Sequence, residues 1–166
     1  MKVFESDLCS DIHGDFTVEN IISVESNEKC PFYIIDPNTG NIHDTPAIDY
    51  AKLLQSLHGG YEFLTLAENV HVKSNEISFV AFRSNHYSSI YTAYHNYLLS
   101  KFSFEQVRSI YFHEIVHWLR LIPYRTELDS ARAPVFYAGF IKIFNEIIDW
   151  YGDSLADVVA LRDKNE

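Results

Sequence analysis

Two histidines and a glutamate could do metal chemistry here, in the stretch Tyr111-Phe112-His113-Glu114-Ile115-Val116-His117-Trp118-Leu119. On an α-helix, positions four apart share a face about one turn apart, so His113 and His117 can grip one ion together. Glu114 sits about 100° round the same helix. From there a carboxylate can take a proton from a metal-bound water without becoming a ligand. Zinc chemistry needs that division of labour, with neutral imidazoles holding the ion and a nearby base activating the water.

The surroundings favour a helix. Ser103 with Gln106 three residues on reads as a capping box, which starts the helix at about Phe104. Pro123 marks its expected end, because a proline biases the residue before it away from helix. Between and around the chemistry-bearing residues lie large apolar ones, Ile110, Ile115, Val116 and Trp118, that would bury the other sides.

These residues resemble the zincin metallopeptidases, whose signature is a helical H-E-x-x-H with an uncharged pair inside and a hydrophobic residue two after the second histidine. His113, Glu114, Ile115, Val116, His117 and Leu119 match that pattern. The resemblance covers about ten residues and implies a superfamily. It implies one Zn2+ per chain, His113 and His117 as ligands, Glu114 as general base and acid, and a third ligand further along. The metzincin extension is absent, since its glycine would fall on Arg120 and its third histidine on Pro123. A glutamate-type third ligand is favoured instead, and Glu146 in Asn145-Glu146-Ile147-Ile148-Asp149 fits it best, on the helix after the motif. The Glu-x-x-x-Asp pattern of that subgroup is not met, because Asp149 comes one residue early. Glu127, Asp129, Asp153 and Asp157 are the other candidates. Tyr124, Arg125 and Tyr137 are candidates to stabilise a developing oxyanion, and His86 could approach the site from a loop.

The elements around the motif indicate an α+β chain, a single domain over residues 1–166 with a small mixed or antiparallel sheet of about four strands before a helical half, and the resemblance implies a zincin-like fold. Strands are expected at Phe16 to Val24, Pro31 to Ile35, Tyr61 to Ala67 and Glu76 to Phe82, where β-branched and aromatic residues concentrate. Thr45 as N-cap, Pro46 at the first position and Gly59-Gly60 as a stop delimit a helix. Helices are also expected at Ser88 to Ser100, at Ala133 to Tyr151, and briefly near Arg162.

Apolar residues make up 47% of the 166, aromatics 15%, with six Gly and five Pro, which is the composition of a folded chain. The formal net charge of −10 disfavours nucleic acid and anionic membrane as partners and suits a basic protein or peptide. The N-terminus lacks the pattern of a cleavable signal, and no run approaches the ~18 apolar residues of a membrane span. The expected location is cytoplasmic, or export without such a signal, as for proteases injected into host cells. Cys9 and Cys30 do not form a disulfide framework.

Three functions compete at this stage. A zinc metalloprotease would hydrolyse a protein substrate held as an added strand on an exposed sheet edge, such as Glu76 to Phe82. A non-catalytic interaction or immunity-type protein would carry the motif as a fortuitous or relict feature. A carboxylate-bridged di-iron protein would use Glu114-x-x-His117 and Glu68-x-x-His71, both on helices of a bundle.

Overall fold

The computed structural model describes residues 3–24, 31–38, 40–41 and 44–152. The chain is α+β, with two small antiparallel sheets in its N-terminal half and helices dominating the rest. A 3-10 turn (Val18–Asn20) leads into β1 (Ile21–Ser23), which pairs with β2 (Phe32–Ile34). Helix α1 (Pro46–Leu57) follows, then a short α2 (Tyr61–Thr65). The hairpin of β3 (Glu68–Lys73) and β4 (Glu76–Val80) precedes α3 (Asn85–Lys101), α4 (Phe104–Leu128) and α5 (Ala133–Tyr151). Among the described residues the strands form two separate ladders of two and not one sheet of about four.

The expected stops and starts operate where side-chain chemistry sets them. Thr45 accepts from the amide of Ala47 and Pro46 opens α1, as its fixed φ favours. Ser103 accepts from the Gln106 amide while the Gln106 side chain accepts from the Ser103 amide, a complete capping box on α4. Gly152 ends α5.

Two further expectations fail for identifiable reasons. Tyr61 to Thr65 is helix, not strand. Gly60, at φ +68°, turns the chain sharply after α1, and the Gly60 carbonyl then accepts from Phe63 and Leu64. The turn delivers Leu64 and Ala67 into the core, and that burial outweighs the strand preference of the aromatic residues. Helix α4 also runs straight through Pro123 to Leu128. Proline removes the bond to the carbonyl of Leu119, a half-exposed residue. Arg125 then anchors the last turn by lying over the rings of Tyr61 and Phe136 and donating to the Tyr61 hydroxyl. The short helix expected near Arg162 lies outside the described residues.

One core unites the helices. Ala51 and Leu54 of α1, Tyr111 and Trp118 of α4, and Phe136, Ile143 and Ile147 of α5 are essentially without exposed surface. Helix α4 is the shared element, packed against α1 on one side and α5 on another. No helix among the described residues is long and apolar enough to cross a membrane.

Trp118 sets how closely α1 can end against α4. A methyl group on Gly59 would overlap the Trp118 ring and approach the Gln55 carbonyl to 2.8 Å. Gly59→Ala should therefore lower stability by about 1–3 kcal/mol in chemical denaturation, the usual cost of overpacking. An unchanged midpoint would mean that this end of α1 is free to shift.

Candidate functional site

The motif faces inward. His113, Glu114 and His117 retain 3%, 0% and 5% of their surface, because α1 and the N-terminal segment lie across their side of α4. Each meets a different partner. His113 Nε2 is 2.7 Å from Asp7 Oδ2, and Ser109, one turn earlier, donates to Asp7 Oδ1 at 2.5 Å. The Phe4 ring lies 4.5 Å from the His113 ring. His117 Nε2 lies 3.1 Å from the carbonyl of Ile48, which can only accept, so this nitrogen carries the hydrogen. Burial, with the Lys52 ammonium nearby, lowers the His117 pKa to about 3, so the ring is neutral.

Glu114 is held from both sides. His58 Nδ1 is 2.8 Å from its Oε2, and Trp118, one turn further along α4, donates from Nε1 to Oε1 at 3.4 Å. His58 is the residue that the sequence reading overlooked. It is the C-cap residue of α1, where its backbone N–H donates to the carbonyl of Leu54, directly before Gly59-Gly60. Its ring is stacked between Tyr91 at 5.0 Å and Trp150 at 5.4 Å, with Tyr111 edge-on at 5.8 Å. Its Nε2 faces Glu146 Oε2 at 3.3 Å without forming a well-directed hydrogen bond. Glu146 in turn pairs with Lys142 at 2.9 Å on the surface.

The result is a polar line from the surface to the core, Glu146, His58, Glu114 and Trp118. Beside it the Tyr111 hydroxyl lies 2.6 Å from His95 Nδ1 and 3.3 Å from the Tyr91 hydroxyl. Burial raises the pKa of both phenols, Tyr91 to about 12, so both remain neutral donors. Burial also pushes His95 below its ordinary value.

Glu146 is thus brought to Glu114 through His58 and not to the two motif histidines. Among the described residues no group of three or more His, Cys, Asp or Glu side chains is arranged to hold a metal ion. A water held between His113 and His117 would need a Glu114 oxygen, and both are engaged elsewhere in a fully buried position. In this arrangement the residues do not fit a catalytic zinc. The other candidates are dispersed. Asp129 pairs with Arg132, Glu127 and Asp149 are exposed, and Asp153 and Asp157 lie outside the described residues. Tyr137 is exposed on α5, Tyr124 lines a cavity that His117 also reaches, and His86 lies in the first turn of α3. Glu68 and His71 lie on strand β3, not on a helix as a di-iron bundle would need. Cys9 is exposed and unpaired, and Cys30 lies outside the described residues.

No protein-family model, curated protein or solved structure matches the chain.

Two outcomes follow from the buried contacts. His58→Ala strips Glu114 of its main partner and should cost about 1–3 kcal/mol, the penalty of leaving a buried polar group without its hydrogen bond. In a double-mutant cycle with Glu114→Ala the coupling should reach about 1–3 kcal/mol, and a value near zero would show that the contact is incidental. His117 is neutral when folded down to about 3 but titrates near 6.5 when unfolded. Protons therefore favour the unfolded chain as pH falls below 6.5, a loss complete near 3. His117→Gln should flatten the fall of Tm across that interval, whatever its effect at neutral pH. A slope equal to that of the unaltered protein would contradict the assignment.

Proposed function

We propose that this chain is a protein-binding module whose HExxH helix serves as its interior spine. The observation that carries this reading is Glu114. A general base must face a substrate cavity, and this carboxylate has no exposed surface and both oxygens bonded to His58 and Trp118.

The surface suits the role. Both sheets are ladders of two, so each strand keeps one edge without a partner strand among the described residues. Such edges take up an extended segment of another chain through main-chain hydrogen bonds. Beside the β3–β4 hairpin the side chains of Leu66, Val72 and Phe82 are exposed at 74%, 57% and 79%, which offers apolar anchoring. With a net charge of −10, a basic segment is the partner favoured in encounter.

A zinc peptidase is the second reading. It is supported by the two motif imidazoles, which lie one turn apart on a well-capped helix, and by the carboxylate of Asp7 beside His113. It requires Glu114 to leave His58 and α1 to uncover the motif face.

Elemental mass spectrometry of untagged protein, purified with zinc supplied, separates the two. The binding-module reading expects far less than one zinc per chain, the same in His117→Ala, and no cleavage of fluorescein-labelled casein. About one zinc per chain, lost in His117→Ala, together with cleavage that Glu114→Gln abolishes, would overturn it in favour of the peptidase.

A further inference from the structure

Residues 3–10 form no helix or strand and lie as a strap along α4. A turn is closed where Asp7 N–H donates to the Phe4 carbonyl at 3.2 Å. Among the described residues one main-chain bond joins the strap to another part of the fold, from Ser10 N–H to the Asp44 carbonyl at 3.0 Å. Side chains do the rest of the holding. Asp7 accepts from the Ser109 hydroxyl at 2.5 Å and meets His113 Nε2 at 2.7 Å, and the Phe4 ring lies 4.5 Å from the His113 ring. Ser109 and His113 are buried and fixed on α4, so the helix offers a preformed seat for one carboxylate and one aromatic ring.

The strap fills that seat poorly. A cavity of about 130 Å³ remains beneath it, walled by Pro46, Ala47 and Tyr50 of α1 and by Phe102 and Ile110. Close-packed interiors leave few voids larger than one water. Ser6 borders this mostly apolar space, and its hydroxyl is buried without a hydrogen-bond partner, which is a net cost. Val3 is buried, but Phe4 and Leu8 stay 42% and 73% exposed, so the strap gains little from burial. A segment held by so few side chains, over a space it does not fill, yields to one that matches the seat better.

We propose that this seat between α1 and α4 binds a segment of another protein with the pattern aromatic–x–aliphatic–Asp. Residues 4–7, Phe-Glu-Ser-Asp, are its built-in placeholder. The partner's aspartate takes the contacts to Ser109 and His113, its aromatic ring lies over His113, and its aliphatic side chain replaces Ser6 and enters the cavity. Outside these four residues a basic sequence is favoured in encounter, given the net charge of −10. The inference rests on the binding-module reading and concerns a different face from the β3–β4 edge. Zinc content tests that reading and peptide binding tests this one, so the two fail separately.

The probe is a fluorescein-labelled peptide, Phe-Glu-Leu-Asp-Leu, added to full-length chains with a chelator present and read by fluorescence anisotropy. Phe4→Ala loosens the strap and leaves Asp7 in place. That variant should bind the peptide saturably, and roughly tenfold more tightly than the unaltered chain, whose own strap competes. Peptides with Ser for the central Leu, or Asn for Asp, should each bind roughly tenfold more weakly. Ser6→Leu in the chain itself should raise Tm by about 2–4 °C and suppress peptide binding. The proposal is overturned by no saturable binding to a folded Phe4→Ala chain, or by binding that ignores the Asp-to-Asn change. If Phe4→Ala does not fold, Ser6→Leu decides, and a Tm unchanged or lowered overturns it. A dimer in light scattering that Phe4→Ala abolishes would assign the seat to the strap of a second copy instead.

Discussion

The Glu114 carboxylate lies where α1, α4 and α5 converge, cut off from water on every side. Moving a charge or an unpaired acid into such a place costs several kcal/mol unless hydrogen bonds replace those of water. The fold supplies them from two places, His58 at the end of α1 and Trp118 on the next turn of α4, while Glu146 on α5 faces the outer nitrogen of His58. Much of the local architecture answers to this demand. Helix α1 must end at His58 and turn away at once, which Gly59 and Gly60 permit, and Gly59 must leave room for the Trp118 ring. The aromatic faces of Tyr91 and Trp150 then close over the imidazole and draw α3 and the end of α5 onto the same spot.

An apolar residue of similar size at position 114 would pack more cheaply, since buried ion pairs often contribute less than well-fitted hydrocarbon. What the polar line adds is directionality. A hydrophobic contact tolerates sliding of one helix along another, whereas the Glu114–His58 contact exists at one register only. It favours one placement of α1 across α4, the one that sets the Ile48 carbonyl against His117.

Where side chains act on their own backbone, the sequence was legible. Thr45-Pro46, Ser103 with Gln106, and Gly152 set their helix boundaries through contacts a few residues apart, and such contacts are written in order along the chain. Tyr61 to Thr65 and the passage of α4 through Pro123 were not, because both are decided by residues far away. Leu64 becomes helical for the sake of a core that includes α5, and the turn beyond Pro123 persists because Tyr61 and Phe136 hold Arg125. His58 was hidden for the same reason. Nothing near position 58 announces a partner 56 residues on.

The same distinction governs the motif. Spacing told correctly that His113, Glu114 and His117 lie on neighbouring faces of one helix, since that is a property of helical geometry alone. Whether such residues bind a metal depends on what the neighbouring elements place opposite them, and spacing is silent on that. Here α1 presents a backbone carbonyl to one histidine and an imidazole to the glutamate, while Asp7 meets the other histidine. A carbonyl oxygen, a carboxylate and an imidazole are the partners that the interior of a protein uses to satisfy buried polar groups, and the last two are also the usual side-chain ligands of zinc. The chemistry that suits His-Glu-x-x-His to zinc, strong and directional hydrogen-bonding side chains on one helical face, equally suits it to pinning one helix across another. A helix that stands clear of such a motif leaves a cleft, whereas here α1 lies across it, with the Ile48 carbonyl at His117 and the His58 ring at Glu114.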